Sequence, residues 1–146
     1  MSDPLTDDDV TVYLRAVRFF ALLAERSAES VGLTLAQMRL LYTLFDLGTA
    51  SCSAVAAHLH VGVSSVTRVI ARPAMLPLVS RSVSAANAST VDLTLTSEGR
   101  ATVLRVSSYR EGLLRAALAG IDGEVASVTA LGLAQIIERI GDEVRA

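Results

Sequence analysis

Residues 51–72 read SCSAVAAHLHVGVSSVTRVIAR, and this stretch decides the fold. Ser51 or Ser53 can accept the first free amides of a short helix over 51–59, with Val55, Ala56 and Leu59 facing inward. A tight piece follows at His60, Val61 and Gly62. From 63 to 72, Val66, Val69 and Ile70 recur at i, i+3 and i+4 as a buried stripe, while Ser64, Thr67, Arg68 and Arg72 fall on the other side. Two short helices about a glycine turn, the second with small hydroxyls and arginines outward, make a helix-turn-helix pattern. Hydroxyls near a helix N-terminus can approach phosphate or base edges, and Arg68, one turn on, can fork onto guanine or phosphate. Ser64, Ser65, Thr67, Arg68 and Arg72 are the candidate DNA contacts. The alternative for each is an ordinary solvated helix face.

Outward from this core, 78–83 and 90–95 read as strands. The second alternates Val91, Leu93 and Leu95 with Asp92, Thr94 and Thr96. The small polar run 84–89 between them is a hairpin tip. Upstream, Thr34 and Gln37 form a capping box for a helix at Leu35–Leu47 with Met38, Leu41, Leu44 and Phe45 at helical spacing, ended by Gly48. Asp7, Asp8 and Asp9 favour a helix start. The helix that follows is apolar on two faces, one at Val10, Tyr13, Leu14 and Val17, the other at Phe19, Leu22 and Leu23. One face can pack on its own domain; the second needs another cover. Downstream, Thr96 caps a helix over 97–119, and after a turn at 120–123 Asp122 caps a last helix. The order α-α-α-α-β-β-α-α predicts an α+β, mainly α fold: a winged helix-turn-helix (34–100) between an N-terminal helix (1–33) and C-terminal helices (101–146), integrated as one domain in which the end helices dimerise.

The chain has 146 residues, 51% apolar and only 19% charged, which excludes a disordered tail and favours a partner subunit. One cysteine, Cys52, excludes a disulfide framework, and small apolar neighbours suggest a packed thiol rather than a redox sensor. His58 and His60 stand two apart, so on a helix they diverge and a shared metal is not expected. No phosphate-binding glycine loop, G-x-S-x-G or paired nucleophile supports an enzyme, and no cofactor is expected. The acidic N-terminus does not read as a signal peptide, and no apolar run is long enough to span a bilayer; the expectation is a cytoplasmic protein without membrane contact. The net charge of −2 conceals a pattern. Residues 50–105 hold Arg68, Arg72, Arg81, Arg100 and Arg105 against Asp92 and Glu98, whereas both flanks are acidic. A basic centre between acidic ends fits phosphate contact at the centre. Arg81 can hold a phosphate or pair internally with Asp92.

These segments resemble the MarR family of bacterial transcription regulators over 32–100. Gly32-Leu33-Thr34 with Gln37 is similar to the family's GLT-x-x-Q start of the second helix. Ser53 to Leu59 is similar to its seLAerL helix, and Ser64-Ser65-Val66-Thr67-Arg68 to its recognition helix. Leu78-Val79-Ser80-Arg81 and Leu95-Thr96-Ser97-Glu98-Gly99 resemble LVeR and LT-x-x-G. The resemblance implies a homodimer on a pseudo-palindromic double-stranded DNA operator, an effector-responsive repressor, with a cleft for a small aromatic effector. Phe19, Phe20, Tyr42, Phe45 and Tyr109 are the cleft candidates; core packing is the alternative for each. Three departures bear on function. The family's wing DRR falls on Asn87-Ala88-Ser89, its recognition-helix leucine on Pro73, and its glycine on Pro77. Proline at 73 predicts a recognition helix kinked or ended near Arg72, and the wing contributes little charge. The alternative function is a MarR-like dimeric scaffold with weak or lost DNA binding that serves protein association or small-molecule binding.

Overall fold

The computed structural model describes residues 6–145, in the order α1 (Asp7–Glu29), α2 (Leu35–Leu47), β1 (Ala50–Ser51), α3 (Cys52–Leu59), α4 (Val63–Ile70), a single 3-10 turn (Pro73–Met75), β2 (Val79–Val83), β3 (Val91–Leu95), α5 (Ser97–Leu118) and α6 (Gly123–Arg145). The chain divides into two compact units, the first ending at Tyr109 and the second beginning at Arg110.

Local chemistry sets most boundaries. Thr6 and Asp9 form a capping box on α1, the Thr6 hydroxyl accepting from the Asp9 amide at 3.2 Å and the Asp9 carboxylate accepting from the Thr6 amide at 3.0 Å. The Thr6 hydroxyl also donates to that carboxylate at 2.7 Å, and these bonds, side chain first, hold the Asp9 carboxyl below its usual range. A lowered folded-state value means the cap is complete above the ordinary carboxylate pKa and is lost as pH falls through the lowered one. Acid titration should therefore move the Thr6 and Asp9 amide resonances together, with a midpoint below the ordinary aspartate range. A midpoint within or above that range would contradict the box.

Thr34 and Gln37 cap α2 reciprocally, at 3.2 and 2.8 Å, and Gly48 ends it at φ +73°. Ser51 rather than Ser53 caps α3, accepting from the Ala54 amide at 3.1 Å. The turn into α4 is made by His60 in the left-handed region, φ +55° and ψ +44°. There its amide satisfies carbonyls of α3, a place glycine more often fills.

The first unit's core lies under the helix-turn-helix. Met38, Leu40, Leu41 and Leu44 of α2, Val55 of α3, Val66 and Ile70 of α4, Leu93 of β3, and Val103 and Val106 of α5 are all buried. Met75 plugs the same core from the 3-10 turn, so the chain after α4 is anchored rather than loose. A three-stranded antiparallel sheet, ordered β1-β3-β2, closes one side. The two-residue strand β1, Ala50 opposite Leu93 and Ser51 opposite Asp92, is an addition to the expected hairpin.

Helix α1 differs from expectation. Neither apolar face is covered along its first four turns: Val12, Val17 and Phe19 are 63%, 64% and 75% exposed. Only Ser27 and Ala28, at the C-terminal end, are buried. The second unit is likewise open. Asp122 caps α6 by accepting from the Glu124 and Val125 amides at 3.0 and 3.2 Å, and the helix carries exposed Val128, Leu131, Ile137 and Ile140.

Candidate nucleic-acid interface

Helix α4 is oriented by its stripe. With Val66 and Ile70 buried and Val69 partly buried, Ser64, Thr67 and Arg68 are driven to the exposed side, and Ser65 is half-buried at the edge. The Thr67 hydroxyl donates to the Val63 carbonyl at 3.1 Å, leaving its lone pairs free to accept. Gly62 caps the helix without a side-chain hydrogen bond, so the positive end of α4 is open to an anion.

The helix stops at Ile70, two residues short of the 63–72 stretch that its apolar pattern gives. Ala71 is still helical, but Arg72 turns to φ −68° and ψ +141°, the extended conformation that a following proline imposes. Pro73 then opens the 3-10 turn, where its missing N–H costs nothing. The break does not carry Arg72 away from Arg68. Both line one open depression together with Val69 and with Thr34 and Gln37 at the N-terminus of α2. Two guanidiniums beside a helix N-terminus make an anion-holding corner. The place of Thr34 and Gln37 in that corner was not evident from the sequence, where the pair reads only as a cap.

Arg81 is exposed on β2, opposite Leu93, whereas Asp92 sits opposite Ser82. Neighbouring strand positions face opposite ways, so the internal pairing of Arg81 with Asp92 does not form. Among the described residues the ion pairs are Arg26–Glu29 and Arg115–Glu111, which leaves Arg68, Arg72 and Arg81 unmatched by a carboxylate. At the hairpin tip the Asn87 carboxamide oxygen accepts from the Ser89 amide and hydroxyl at 3.0 and 2.8 Å. The tip is thus a folded, uncharged turn, with exposed Val83 and Val91 paired behind it.

The aromatic candidates lie on three helices, α1, α2 and α5. Phe19 and Phe20 are exposed on α1, and Phe19 edges a shallow groove with Val12, Arg15 and Ala16 of its own helix. Tyr42 and Phe45 pack against the core. The Tyr42 hydroxyl lies 2.9 Å from the Ser107 hydroxyl, and the Phe45 ring lies 5.1 Å beneath the Arg100 guanidinium. Tyr109 is about half exposed, at 48%. Cys52 is half-buried against the core, and His58 and His60 are exposed. Among the described residues no cluster of His, Cys, Asp and Glu could hold a metal ion, and no helix is long and apolar enough to cross a membrane.

No protein-family model matches the chain, and no curated protein does. Solved structures match closely in shape. RV1404 from Mycobacterium tuberculosis superposes with a TM-score of 0.84 at 21% identity, over 94% of this chain and 97% of that one. A MarR family transcription regulator gives 0.78 at 17% identity, covering 94% and 91%. Streptococcus pneumoniae FabT, in complex with DNA, gives 0.77 at 18% identity, covering 94% and 99%.

Proposed function

We propose that this chain, which has the MarR-like winged-helix fold, is a homodimeric, sequence-specific DNA-binding transcription regulator whose recognition element is α4. The observation that carries this reading is the outward display of Ser64, Thr67 and Arg68 on a helix held from below by Val66 and Ile70, with Arg72 beside them. The DNA complex of FabT supports it by likeness of fold. The second copy is inferred from the uncovered apolar faces of α1 and α6, too large a surface for a lone small domain to expose. Repression relieved by a small aromatic effector is the regulatory mode that the resemblance suggests. In this reading Ser64, Ser65, Thr67 and Arg68 meet the major groove, Arg72 meets phosphate, and Arg81 meets the backbone beside the wing.

The wing tip at Asn87, Ala88 and Ser89 adds no cation, and α4 is only eight residues long. Both features favour a weaker grip than an arginine-tipped wing would give, and in the limit the second reading, a dimeric scaffold that no longer binds DNA. Binding to the DNA beside the chain's own gene, followed by fluorescence anisotropy at several salt concentrations, separates the two. The regulator should show log K falling linearly with log salt, with a slope of roughly −0.9 for each phosphate neutralised. No binding even at low salt would count against the regulator and favour the scaffold. Sedimentation equilibrium tests the dimer separately, since a monomer mass at every concentration would remove the role given to α1 and α6.

A further inference from the structure

We infer that Val63, together with the Thr67 methyl, selects operators that present thymine methyl groups in the major groove, a preference that rests on the function proposed above. Val63 is the first residue of α4 and is 45% exposed. It is an apolar side chain at the border of an outward face that otherwise carries hydroxyls and a guanidinium, and it stands outside the buried pair Val66 and Ile70. Thr67 follows one turn on, beside it on the same face. The Thr67 hydroxyl turns back to donate to the Val63 carbonyl at 3.1 Å, so the outer part of this exposed side chain is its methyl. Two apolar groups thus adjoin along one edge of the face, with Ser64 and then Arg68 further round the helix.

Placement at the start of α4 gives these groups access to bases. A helix-turn-helix touches base edges with the N-terminal residues of its second helix. The N-cap Gly62 adds no side chain ahead of Val63, so the backbone there can come close to the groove. At the major-groove edge the thymine C5-methyl is the apolar feature among the four bases, and apolar side chains recognise it. Valine has neither donor nor acceptor. Facing guanine, adenine or cytosine it would displace water from polar atoms without replacing the hydrogen bonds. Facing thymine it covers a methyl, while Arg68 remains free for a neighbouring guanine or phosphate.

The test starts from duplexes that the full chain enriches from a pool with a randomised centre. The enriched site is then synthesised with every thymine in both half-sites replaced by deoxyuridine, which deletes the methyl and keeps every hydrogen-bonding group. Affinity should fall about fourfold for each half-site, the worth of one buried methyl-sized group, and about fifteenfold for a dimer. Val63→Ala and Thr67→Ser should each bring the thymine-to-uracil affinity ratio towards one, and Val63→Ile should keep it. Each ratio compares two duplexes on one protein, so a folding defect in a variant cancels. Equal affinity of the parent chain for both duplexes would overturn the inference and leave the regulator standing. A parental ratio in both Val63→Ala and Thr67→Ser would overturn it too, because the methyl would then act through the shape of the duplex. A pool from which nothing is enriched would remove the regulator itself, and the thymine preference with it.

Discussion

Gly99→Ala is expected to destabilise the fold by about 3 kcal/mol, the upper range of overpacking a tight site. A Cβ at position 99 would overlap the Leu78 carbonyl oxygen and press on the Leu78 carbonyl carbon, both backbone atoms that cannot rotate aside. Nor can the helix slide away. The Thr96 hydroxyl donates to the Pro77 carbonyl at 2.6 Å and accepts from the Gly99 amide at 3.0 Å, while the Thr96 amide donates to the Leu78 carbonyl at 3.0 Å. Two of those bonds clamp Thr96 to the chain leading into β2, and the third ties the start of α5 to Thr96. For a chain of this length the loss corresponds to a fall in Tm of roughly 6–12 °C. Gly112 on the same helix is the control. Nothing lies within 4 Å of its notional Cβ, so Gly112→Ala should be neutral or should raise stability by roughly 0.5–1 kcal/mol through helix propensity. Thermal denaturation of the two variants decides, and equal shifts would mean that the approach of α5 to Leu78 is not close.

How much of this was legible beforehand varies by element. Helix α2 was fully readable because its signals are local: a reciprocal cap at Thr34 and Gln37, an apolar stripe, and a glycine stop. The end of α4 was also readable in outline, since proline acts on the residue before it whatever the tertiary context. Strand β1 was not. Two residues carry no periodicity, and what makes Ala50 and Ser51 a strand is the edge of β3, which lies some forty residues away in sequence. The close approach at Gly99 was invisible for the same reason, although the glycine itself stood out in the LT-x-x-G resemblance. Helix α1 gave a half-truth. Its two apolar faces were plain, but the assumption that one packs on its own domain came from treating a single chain as the folding unit, and both faces are bare along most of the helix.

For the candidate site, the exposed side of α4 followed from the position of Val66, Val69 and Ile70, because fixing three buried residues on a helix fixes the rest. The juxtaposition of Arg72 with Arg68 was open, since a helix kinked or ended near Arg72 by Pro73 leaves the direction of that side chain undecided. Convergence with the α2 N-terminus depends on how two helices cross, which spacing along the chain does not encode. For the aromatic candidates, a resemblance names the elements that line a cleft, but not which of this chain's own rings lie beside one another.

That convergence leads to the other large effect. Simultaneous replacement of Arg68 and Arg72 by alanine should reduce the DNA affinity of the dimer by at least about ten-thousandfold at moderate salt, the four charge-assisted hydrogen bonds lost being worth roughly 1.5–3 kcal/mol each. The two guanidiniums share one depression with Thr34 and Gln37 and have no competing carboxylate among the described residues. They are therefore available to phosphate without first breaking an internal bond. In a homodimer the double variant removes four cations from the interface. With Arg72 on phosphate in each half-site, the slope of log K against log salt should become shallower by roughly 1.8. The fold should survive, because both side chains are exposed and the core under α4 is untouched. The single variants distinguish the roles. Arg72→Ala should weaken all sequences alike, as loss of a phosphate contact does, whereas Arg68→Ala should also flatten the preference for one base position by about 1–3 kcal/mol per half-site. A double variant that retains parental affinity and slope would show that the chain grips DNA elsewhere, or that the outward face of α4 serves a partner other than DNA.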